Sequence, residues 1–266
     1  MDLISQTRDG DVVTLTITVP TMAPAFFAEC ERRFGDLATD GTLRAVVVRS
    51  SAKAFSYGLD LPAAMVAWGP AMTGGGLAAK RSELHALIRQ LQRAFTAIAA
   101  CPVPVIAAVH GLCLGGGVDL IAACDLRVAS ADAVFSVRET RIAIVADLGS
   151  LQRLPAIVGS AQARELALTG RDIDASRAHA IGLVNQIAAD RDAAWVGAQA
   201  LAAEIAANPP LTVRGVKQVL DYSAGKSIDD GLAYVAAWNA AFLASEDLGE
   251  AVAAFAQKRP PRFNGR

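Results

Sequence analysis

The sequence is poor in the side chains that hold metal ions or form disulfides. Its 266 residues include four cysteines and three histidines, and no two cysteines have the C-x-x-C spacing of a zinc site. No two histidines lie four residues apart, as paired ligands on one helical face would. We therefore predict that the protein has no metal site and no disulfide framework, and that its thiols are buried structural groups.

An excess of charge of one sign is also missing. The chain carries 25 Lys and Arg against 26 Asp and Glu, so no overall field attracts nucleic acid or an anionic membrane. No run of roughly 20 apolar residues is free of charge, glycine or proline, as a membrane-spanning helix requires. Residues 1–10 lack the apolar centre of a signal peptide. We expect no nucleic acid or membrane partner, and a cytoplasmic location.

Strand and helix patterns alternate in the first half of the chain. Val12–Val19 alternates apolar residues with threonine, as a strand with one buried face does. Short apolar runs at Leu43–Arg49 and Val103–Val109 predict strands buried on both faces. Apolar residues at helical spacing predict helices at Pro24–Leu37 and, after a glycine-rich break at Gly74–Gly76, at Lys80–Ala100.

Helices dominate the second half, after two further short strands. The strands are expected at Leu126–Ala129 and Val134–Ser136. Helices are predicted at Val118–Ala123, Ala161–Leu168, Ala175–Ile181, Asp192–Ala207, Thr212–Tyr222, Ile228–Ala244 and Glu246–Gln257. The clearest boundary between the core and the C-terminal helices is Asn208-Pro209-Pro210. We divide the chain into a core, residues 1–207, and a C-terminal helical region, residues 208–266.

Three consecutive glycines follow the strand predicted at Val103–Val109. Gly115, Gly116 and Gly117 allow a close approach of the backbone to a ligand, and the helix that follows begins with N–H groups that have no internal partner. Such a site favours an oxyanion or a phosphate. The spacings of a P-loop and of a dinucleotide-binding fingerprint are both missing. The alternative is that the glycines allow close packing between helix and strand.

A second loop, Lys53–Leu61, follows the strand predicted at Leu43–Arg49. Gly58 allows the chain to turn so that the N–H of Leu59 points outward. Two N–H groups that converge on one carbonyl oxygen would polarise a thioester and stabilise the enolate formed when it loses a proton.

Three carboxylates lie close to these loops in the sequence. Asp119 follows Gly116 by about one helical turn, Glu139 follows a short strand, and Asp147 interrupts the apolar stretch Ile142–Leu148. Burial among apolar side chains raises the pKa of a carboxyl group and suits it to general acid–base catalysis. Each carboxylate could instead cap a helix or face solvent, and Asp147 in particular could be an N-cap.

Two other chemistries deserve comparison with acid–base catalysis. Cys113 and His110 could form a thiol nucleophile and its base, but no residue that would orient the histidine is evident. The three carboxylates could bind a hard cation, but the clustered D-x-D pattern of such sites is missing.

Several segments together resemble one protein family. Cys101–Gly111, which leads into Gly115–Asp119, and the loop Lys53–Leu61 are similar to the two signature segments of the crotonase, or enoyl-CoA hydratase/isomerase, superfamily. The resemblance continues through Leu148–Leu154, Ala167–Arg171 and Ala180–Val184, and it covers essentially the whole chain. It implies an α/β fold, a crotonase-like spiral of β-β-α units with a C-terminal helical trimerisation region.

The resemblance also implies a binding site for an acyl-coenzyme A thioester. The oxyanion hole would be the backbone N–H groups of Leu59 and Gly116. The thioester would pass the loop formed by Ser56, Tyr57, Gly58 and Asp60, and Phe255 and Lys258 match positions that help to complete a neighbouring subunit's coenzyme A site. The implied assembly is a homo-oligomer, a trimer or a dimer of trimers. Coenzyme A is part of the substrate, so no separate cofactor and no metal is expected.

The carboxylates decide which reaction the resemblance implies, because this superfamily shares its binding site but varies its chemistry. Hydratases of the family typically have Glu at the positions of Asp119 and Glu139 and Gly at that of Asp147. The trio Asp119, Glu139 and Asp147 is similar instead to that of the Δ3,5-Δ2,4-dienoyl-CoA isomerases of fatty-acid β-oxidation.

In that reaction we expect Glu139 to remove a proton at C2, Asp147 to deliver one at C6, and Asp119 to support the pair. There are two alternatives. One is a 2-enoyl-CoA hydratase, which is a lyase and would use Asp119 and Glu139, and the other is a non-catalytic acyl-CoA-binding relative. Tyr57 and Leu59 are bulkier than the residues usual in the family, and Pro62–Ala79 aligns with no determinant of chain length.

Overall fold

Two β-sheets form the framework of the protein. The computed structural model describes residues 2–73 and 76–266. The larger sheet contains, in spatial order, β1 (Ile4–Asp9), β2 (Val12–Ile17), β3 (Ala45–Ser50), β4 (Val105–Val109), β6 (Leu126–Ser130) and β9 (Gln186–Ala188). The smaller sheet contains β5 (Leu112–Leu114), β7 (Val134–Ser136) and β8 (Ile173–Asp174). Strands β1 and β2 pair antiparallel, as do β7 and β8, and the other pairings of these strands are parallel.

Helices cover the sheets and make up the C-terminal part of the chain. They are α1 (Pro24–Ala38), α2 (Leu61–Met72), α3 (Leu77–Ala99), α4 (Gly116–Ala122), a 3-10 helix (Glu139–Ile142), α5 (Ser150–Val158), α6 (Ser160–Thr169), α7 (Ala175–Ala180), α8 (Arg191–Ala206), α9 (Pro210–Ser223), α10 (Ile228–Phe242) and α11 (Glu246–Gln257). None of the helices in the described residues is both long and apolar enough to cross a bilayer.

The chain passes from one sheet to the other in a repeated β-β-α order. Strand β4 joins the large sheet, β5 joins the small sheet, and α4 follows; β6 and β7 repeat this step and lead into the 3-10 helix. Gly111 makes the turn between β4 and β5 with a φ of +54°, a conformation that side chains with a Cβ rarely adopt. An isolated bridge between Ser56 and Cys113 brings the segment after β3 against β5. The predicted crotonase-like α/β spiral is confirmed.

The large sheet is buried on both faces. On one face α1 and α3 pack through aromatic rings, and the ring centroids of Phe27 and Phe95 are 5.6 Å apart. On the other face α8 presents Ala194, Ala198 and Ala202, all fully buried against the strands. Small side chains at this four-residue spacing let the helix backbone approach the sheet closely. Burial of each Phe side chain stabilises the fold by about 1.5–3 kcal/mol.

A buried ion pair holds the C-terminal helices to this core. Lys217 of α9 donates to Asp125 Oδ2 over 2.7 Å and to the carbonyl of Val103 over 3.3 Å, and its side chain is 8% exposed. Removal of the Asp125 charge alone would leave the Lys217 ammonium buried without its partner, which typically costs about 3–5 kcal/mol. The boundary at residues 207 and 208, and the role of the helices beyond it in oligomerisation, stay predictions.

Some elements differ from the sequence prediction. Helix α2 lies in the stretch to which no structure was assigned, where Gly69 and Pro70 interrupt the pattern. Strand β1 was not predicted, because Ile4 is its one buried residue and the rest face outward at the edge of the sheet. Helix α4 begins at Gly116, two residues earlier than expected. Gly74 and Gly75, in the predicted glycine-rich break, lie outside the described residues.

Candidate active site

The loop after β3 packs directly against the start of α4. Gly58 has a φ of +85°, and a Cβ built on it would lie 2.8 Å from the Leu114 carbonyl oxygen and 3.4 Å from the amide nitrogen of Gly116. Only glycine fits there without moving the backbone. The Met22 N–H donates to the Gly58 carbonyl oxygen over 2.8 Å, which fixes the turn from the other side.

Two backbone amides meet at this contact. A Cβ built on Gly116 would lie 3.9 Å from the amide nitrogen of Leu59 and 3.2 Å from Met22 Sδ. Within the described part of the chain, neither the Leu59 nor the Gly116 N–H donates to another group of the protein. Two adjacent N–H groups without partners can bind one anionic oxygen. The structure thus brings together the two predicted oxyanion-hole residues.

Asp119 is the most deeply buried of the three predicted acids. It lies on the first turn of α4, is 1% exposed, and accepts a 2.6 Å hydrogen bond at Oδ1 from the N–H of Ser150. Its Oδ2 is buried without a partner among the described residues. Burial raises the pKa of Asp119 to about 6, even though the bonds from Ser150 lower it. One oxygen of this carboxyl group is therefore fixed, and the other is free to interact with a ligand.

Glu139 begins the 3-10 helix and reaches back toward the glycine run. A Cβ built on Gly115 would lie 3.1 Å from Glu139 Oε1. The other oxygen, Oε2, is buried, and no group of the described chain bonds to it. Burial, and then the nearby charges of Asp119 and Asp147, raise the pKa of Glu139 to about 7. A carboxyl group of this kind can accept or release a proton near neutral pH.

Asp147 lies in the loop between the 3-10 helix and α5. It is half-buried, and desolvation raises the pKa of its carboxyl group. It is not the N-cap of α5, because Gly149 occupies that position with a φ of +126°. The alternative interpretation of Asp147 as a helix cap is therefore wrong.

An apolar cavity of about 130 Å³ connects Leu59 with Asp147. Asp147 is the one ionisable residue among the described residues that line it, and Leu59 belongs to the predicted oxyanion hole. The other lining residues are apolar and come mainly from α2, α3 and the loop before α5: Trp68, Leu84, Leu87, Ile88, Leu91, Ile144 and Leu148. The cavity can hold an aliphatic chain whose polar head lies at the two amides.

The other residues predicted in the Lys53–Leu61 loop shape the backbone. Ser56 is 1% exposed, and its Oγ accepts a 3.0 Å hydrogen bond from the N–H of Gly58. Asp60 caps α2 by accepting from the N–H of Ala63 over 3.0 Å. Tyr57, by contrast, is 39% exposed. Of these side chains, that of Tyr57 has the most surface left to contact a ligand.

Phe255 and Lys258 lie at the end of α11. Phe255 is 88% exposed, and Lys258 is exposed with a φ of +53°. Their predicted role in a neighbouring subunit's site stays a prediction.

The structure does not favour the other chemistries considered. The Sγ of Cys113 is completely buried, and burial raises the pKa of this thiol well above its usual value, whereas a nucleophilic cysteine needs a lowered one. His110 Nε2 lies 3.2 Å from the carbonyl oxygen of Ala52. All four cysteines are free and buried, as predicted. In the described chain, no three His, Cys, Asp or Glu side chains are arranged to hold a metal ion.

Several residues of this site were not predicted from the sequence. Trp68 lines the cavity from α2, Met22 borders the oxyanion hole, and the amide of Ser150 binds Asp119. The amphipathic pattern of α3 was recognised, but periodicity does not tell which residues face a ligand and which face the core.

The β-β-α spiral, the two converging amides and the desolvated carboxylates together define a crotonase-type α/β protein. The chain belongs to the enoyl-CoA hydratase/isomerase family, whose model matches residues 7–266.

Known relatives of this chain fall into two groups. It is 42% identical to the peroxisomal Δ(3,5)-Δ(2,4)-dienoyl-CoA isomerase of Arabidopsis thaliana, over 99% of this chain and 96% of the relative. It is 43% identical to the mitochondrial protein of that name from Dictyostelium discoideum, over 91% and 83%. Among solved structures, enoyl-CoA hydratase from Bacillus anthracis superposes with a TM-score of 0.89 at 26% identity, over the whole of both chains. That from Mycobacterium smegmatis has a TM-score of 0.87 at 30% identity, over 99% of each chain.

Proposed function

We propose that this protein is a Δ3,5-Δ2,4-dienoyl-CoA isomerase. The observation that carries the proposal is a third acid, Asp147, in the apolar cavity that begins at the oxyanion hole. The relatives with 39–43% identity that bear the isomerase name support the same reaction. The substrate is an acyl-CoA thioester with double bonds at C3 and C5.

The two amides start the reaction. The N–H groups of Leu59 and Gly116 bind the thioester oxygen, so negative charge that develops on it as an enolate is stabilised. Loss of one such donor typically slows a reaction by about 10²–10³-fold. Because this interaction is stronger with the enolate than with the neutral thioester, it lowers the barrier to removal of a proton from C2.

The carboxylates then move one proton along the acyl chain. Glu139, beside the glycine run, removes a proton from C2, and Asp147, in the cavity, delivers a proton to C6. The C2–H bond breaks, a C6–H bond forms, and the double bonds move from C3 and C5 to C2 and C4. Asp119 supports the pair by its charge. Each assisted transfer contributes about 10²–10⁴-fold to the rate.

The second candidate is hydration of a 2-enoyl-CoA by Asp119 and Glu139. It is supported by the names of the similar solved structures from Bacillus anthracis and Mycobacterium smegmatis, both of which are enoyl-CoA hydratases. However, Asp119 is shorter than Glu, and one of its oxygens is already bonded to Ser150. It is therefore less suited to activate a water molecule. A non-catalytic acyl-CoA-binding role would not explain the three desolvated carboxylates, because burial of a charged group costs free energy and binding of an apolar acyl chain does not require one.

One paired assay tests the proposal. The protein is given a 3,5-dienoyl-CoA and, separately, a 2-enoyl-CoA, and the appearance of the 2,4-diene is compared with the loss of the enoyl chromophore. We expect diene formation, and we expect Asp147→Asn to reduce it by about 10²–10⁴-fold. Fast hydration of the 2-enoyl-CoA without diene formation would show that the protein is a hydratase. Thermal stabilisation by an acyl-CoA without turnover of either substrate would show a binding protein.

The assembly and location of the protein are part of this proposal. A homo-oligomer, trimer or dimer of trimers, would cover Phe255 and bring it and Lys258 to the coenzyme A of a neighbouring subunit. Reaction with coenzyme A as part of the substrate needs no separate cofactor. The cytoplasmic location stays a prediction, and the names of the relatives above place those proteins in peroxisomes or mitochondria.

A further inference from the structure

A hydrogen bond from α3 holds the backbone of Asp147. Gln92 Nε2 donates to the Asp147 carbonyl oxygen over 2.6 Å, across 55 residues of sequence. Gln92 is half-buried and follows Leu91, a cavity-lining residue, in the sequence. The bond therefore joins the helix that lines the cavity to the loop that carries the acid.

A second contact fixes the orientation of the Gln92 amide. Arg89 Nη1 donates to Gln92 Oε1 over 2.7 Å. An arginine can only donate and a backbone carbonyl can only accept, so the amide oxygen must face Arg89 and the amide nitrogen must face Asp147. The chain of bonds from Arg89 to Gln92 to Asp147 has one orientation that satisfies every group.

Besides the Gln92 bond, two features hold the loop: the Ile144 N–H donates to the Glu139 carbonyl oxygen over 3.0 Å, and Ala146 and Leu148, on either side of Asp147, are buried. Residues 141–145 are exposed, and Ala143 has a φ of +59°, which residues with a Cβ rarely adopt. Arg153 Nη1 lies 3.4 Å from the Leu148 carbonyl oxygen, a weak contact. Among the described residues, Gln92 is the one side chain that bonds to the backbone of Asp147, so it helps to set where this acid meets a bound chain.

We propose that Gln92 is a positioning residue that holds Asp147 for proton delivery to the distal carbon of the acyl chain. This inference rests on the proposed isomerase function. It assigns Gln92 to one half of the proton shift, because its bond goes to the loop of Asp147 and not to Glu139 or to the oxyanion hole.

The test separates the two halves of the reaction. In D₂O, removal and return of the C2 proton exchanges deuterium into the substrate, whereas delivery at C6 forms the 2,4-diene. Each variant is incubated with a 3,5-dienoyl-CoA. Deuterium in the recovered substrate is measured by mass spectrometry, and diene formation is measured by absorbance.

We expect Gln92→Met, which keeps the length of the side chain but removes its donor, to slow diene formation roughly 10–100-fold, because small misplacements of reacting groups have costs of this size. Exchange at C2 should stay within about twofold of the wild type, so the ratio of exchange to product should rise. Arg89→Met, which frees the amide to rotate, should change the ratio in the same direction by less.

The matched control is Gln90→Met, on an exposed position of the same helix, which should leave both rates unchanged. A fall of exchange and diene formation by the same factor in Gln92→Met would show general structural damage and overturn the proposal, as would no change in either rate. Absence of diene formation by the wild-type protein would refute the proposed function instead, so the two failures are distinguishable.

Discussion

Replacement of Glu139 by glutamine should abolish activity and yet stabilise the protein at neutral and alkaline pH. Burial raises the pKa of Glu139 from its ordinary 4.5 to about 7. Since each tenfold change in a proton-binding constant corresponds to ~1.4 kcal/mol, ionisation of this group in the folded chain costs about 3 kcal/mol more than in the unfolded chain.

The pH range of this effect follows from the direction of the shift. Below pH 4.5 Glu139 is protonated in both states, so its charge costs nothing. Between pH 4.5 and about 7 the unfolded chain loses this proton while the folded chain keeps it, so the free energy of unfolding falls as pH rises. Above the pKa of about 7 this decrease in the free energy of unfolding is complete. Glutamine at this position carries no charge at any of these pH values.

The assay is thermal or urea unfolding of the wild type and of Glu139→Gln between pH 4.5 and 8.5, at equal protein concentration. The free energy of unfolding of the variant, minus that of the wild type, should rise by about 3 kcal/mol across this range. This corresponds to roughly 6–12 °C in Tm. If the buried glutamine amide lacks hydrogen-bond partners, the free energy of unfolding of the variant falls by the same amount at every pH. The change of the difference with pH is then unaffected. Glu83→Gln, at an exposed position, is the control. A difference that does not change with pH would refute the reasoning.

Three further predictions concern activity and assembly. Catalysis needs Glu139 ionised and Asp147 protonated, so the pair carries one proton in the active state. Loss of the last proton of the pair, at the pKa of about 7 at which Glu139 ionises, should therefore lower kcat/KM for diene isomerisation about tenfold per pH unit. A pH–rate profile that keeps rising through pH 8 would contradict this. Gly116→Ala places a Cβ 3.2 Å from Met22 Sδ and 3.9 Å from the Leu59 nitrogen. Because the methyl group displaces the two amides from their places, kcat should fall by up to roughly 10²-fold with little loss of Tm, and an unchanged kcat would contradict the role of these amides. Phe255→Asp should dissociate the proposed oligomer in analytical ultracentrifugation and raise KM for the acyl-CoA, whereas an unchanged sedimentation profile would exclude Phe255 from a subunit interface.

The fold could be predicted in large part because its main elements have strong local signals. Strands β3 and β4 are unbroken apolar runs, and α1 and α3 have clear helical periodicity, so burial of these segments was predictable from the sequence. Helix α2 was missed, since it is apolar on all sides and contains Gly69 and Pro70. Two short signature segments then carried the resemblance from which the spiral topology was inferred.

The residue types needed for the chemistry were also present in the sequence. Gly58 and Gly116 could be chosen because they lack a Cβ, and Asp147 because its neighbours are apolar. Asp119 lies one turn past Gly116, and Glu139 follows a short strand. What only the tertiary structure decided is how these groups meet. The contact between Gly58 and Gly116, the bond from Ser150 to Asp119 and the tether from Gln92 to Asp147 each join segments at least 31 residues apart in the sequence. Local patterns reflect which face of an element is buried, whereas the distance between two such segments depends on how the sheets and helices pack.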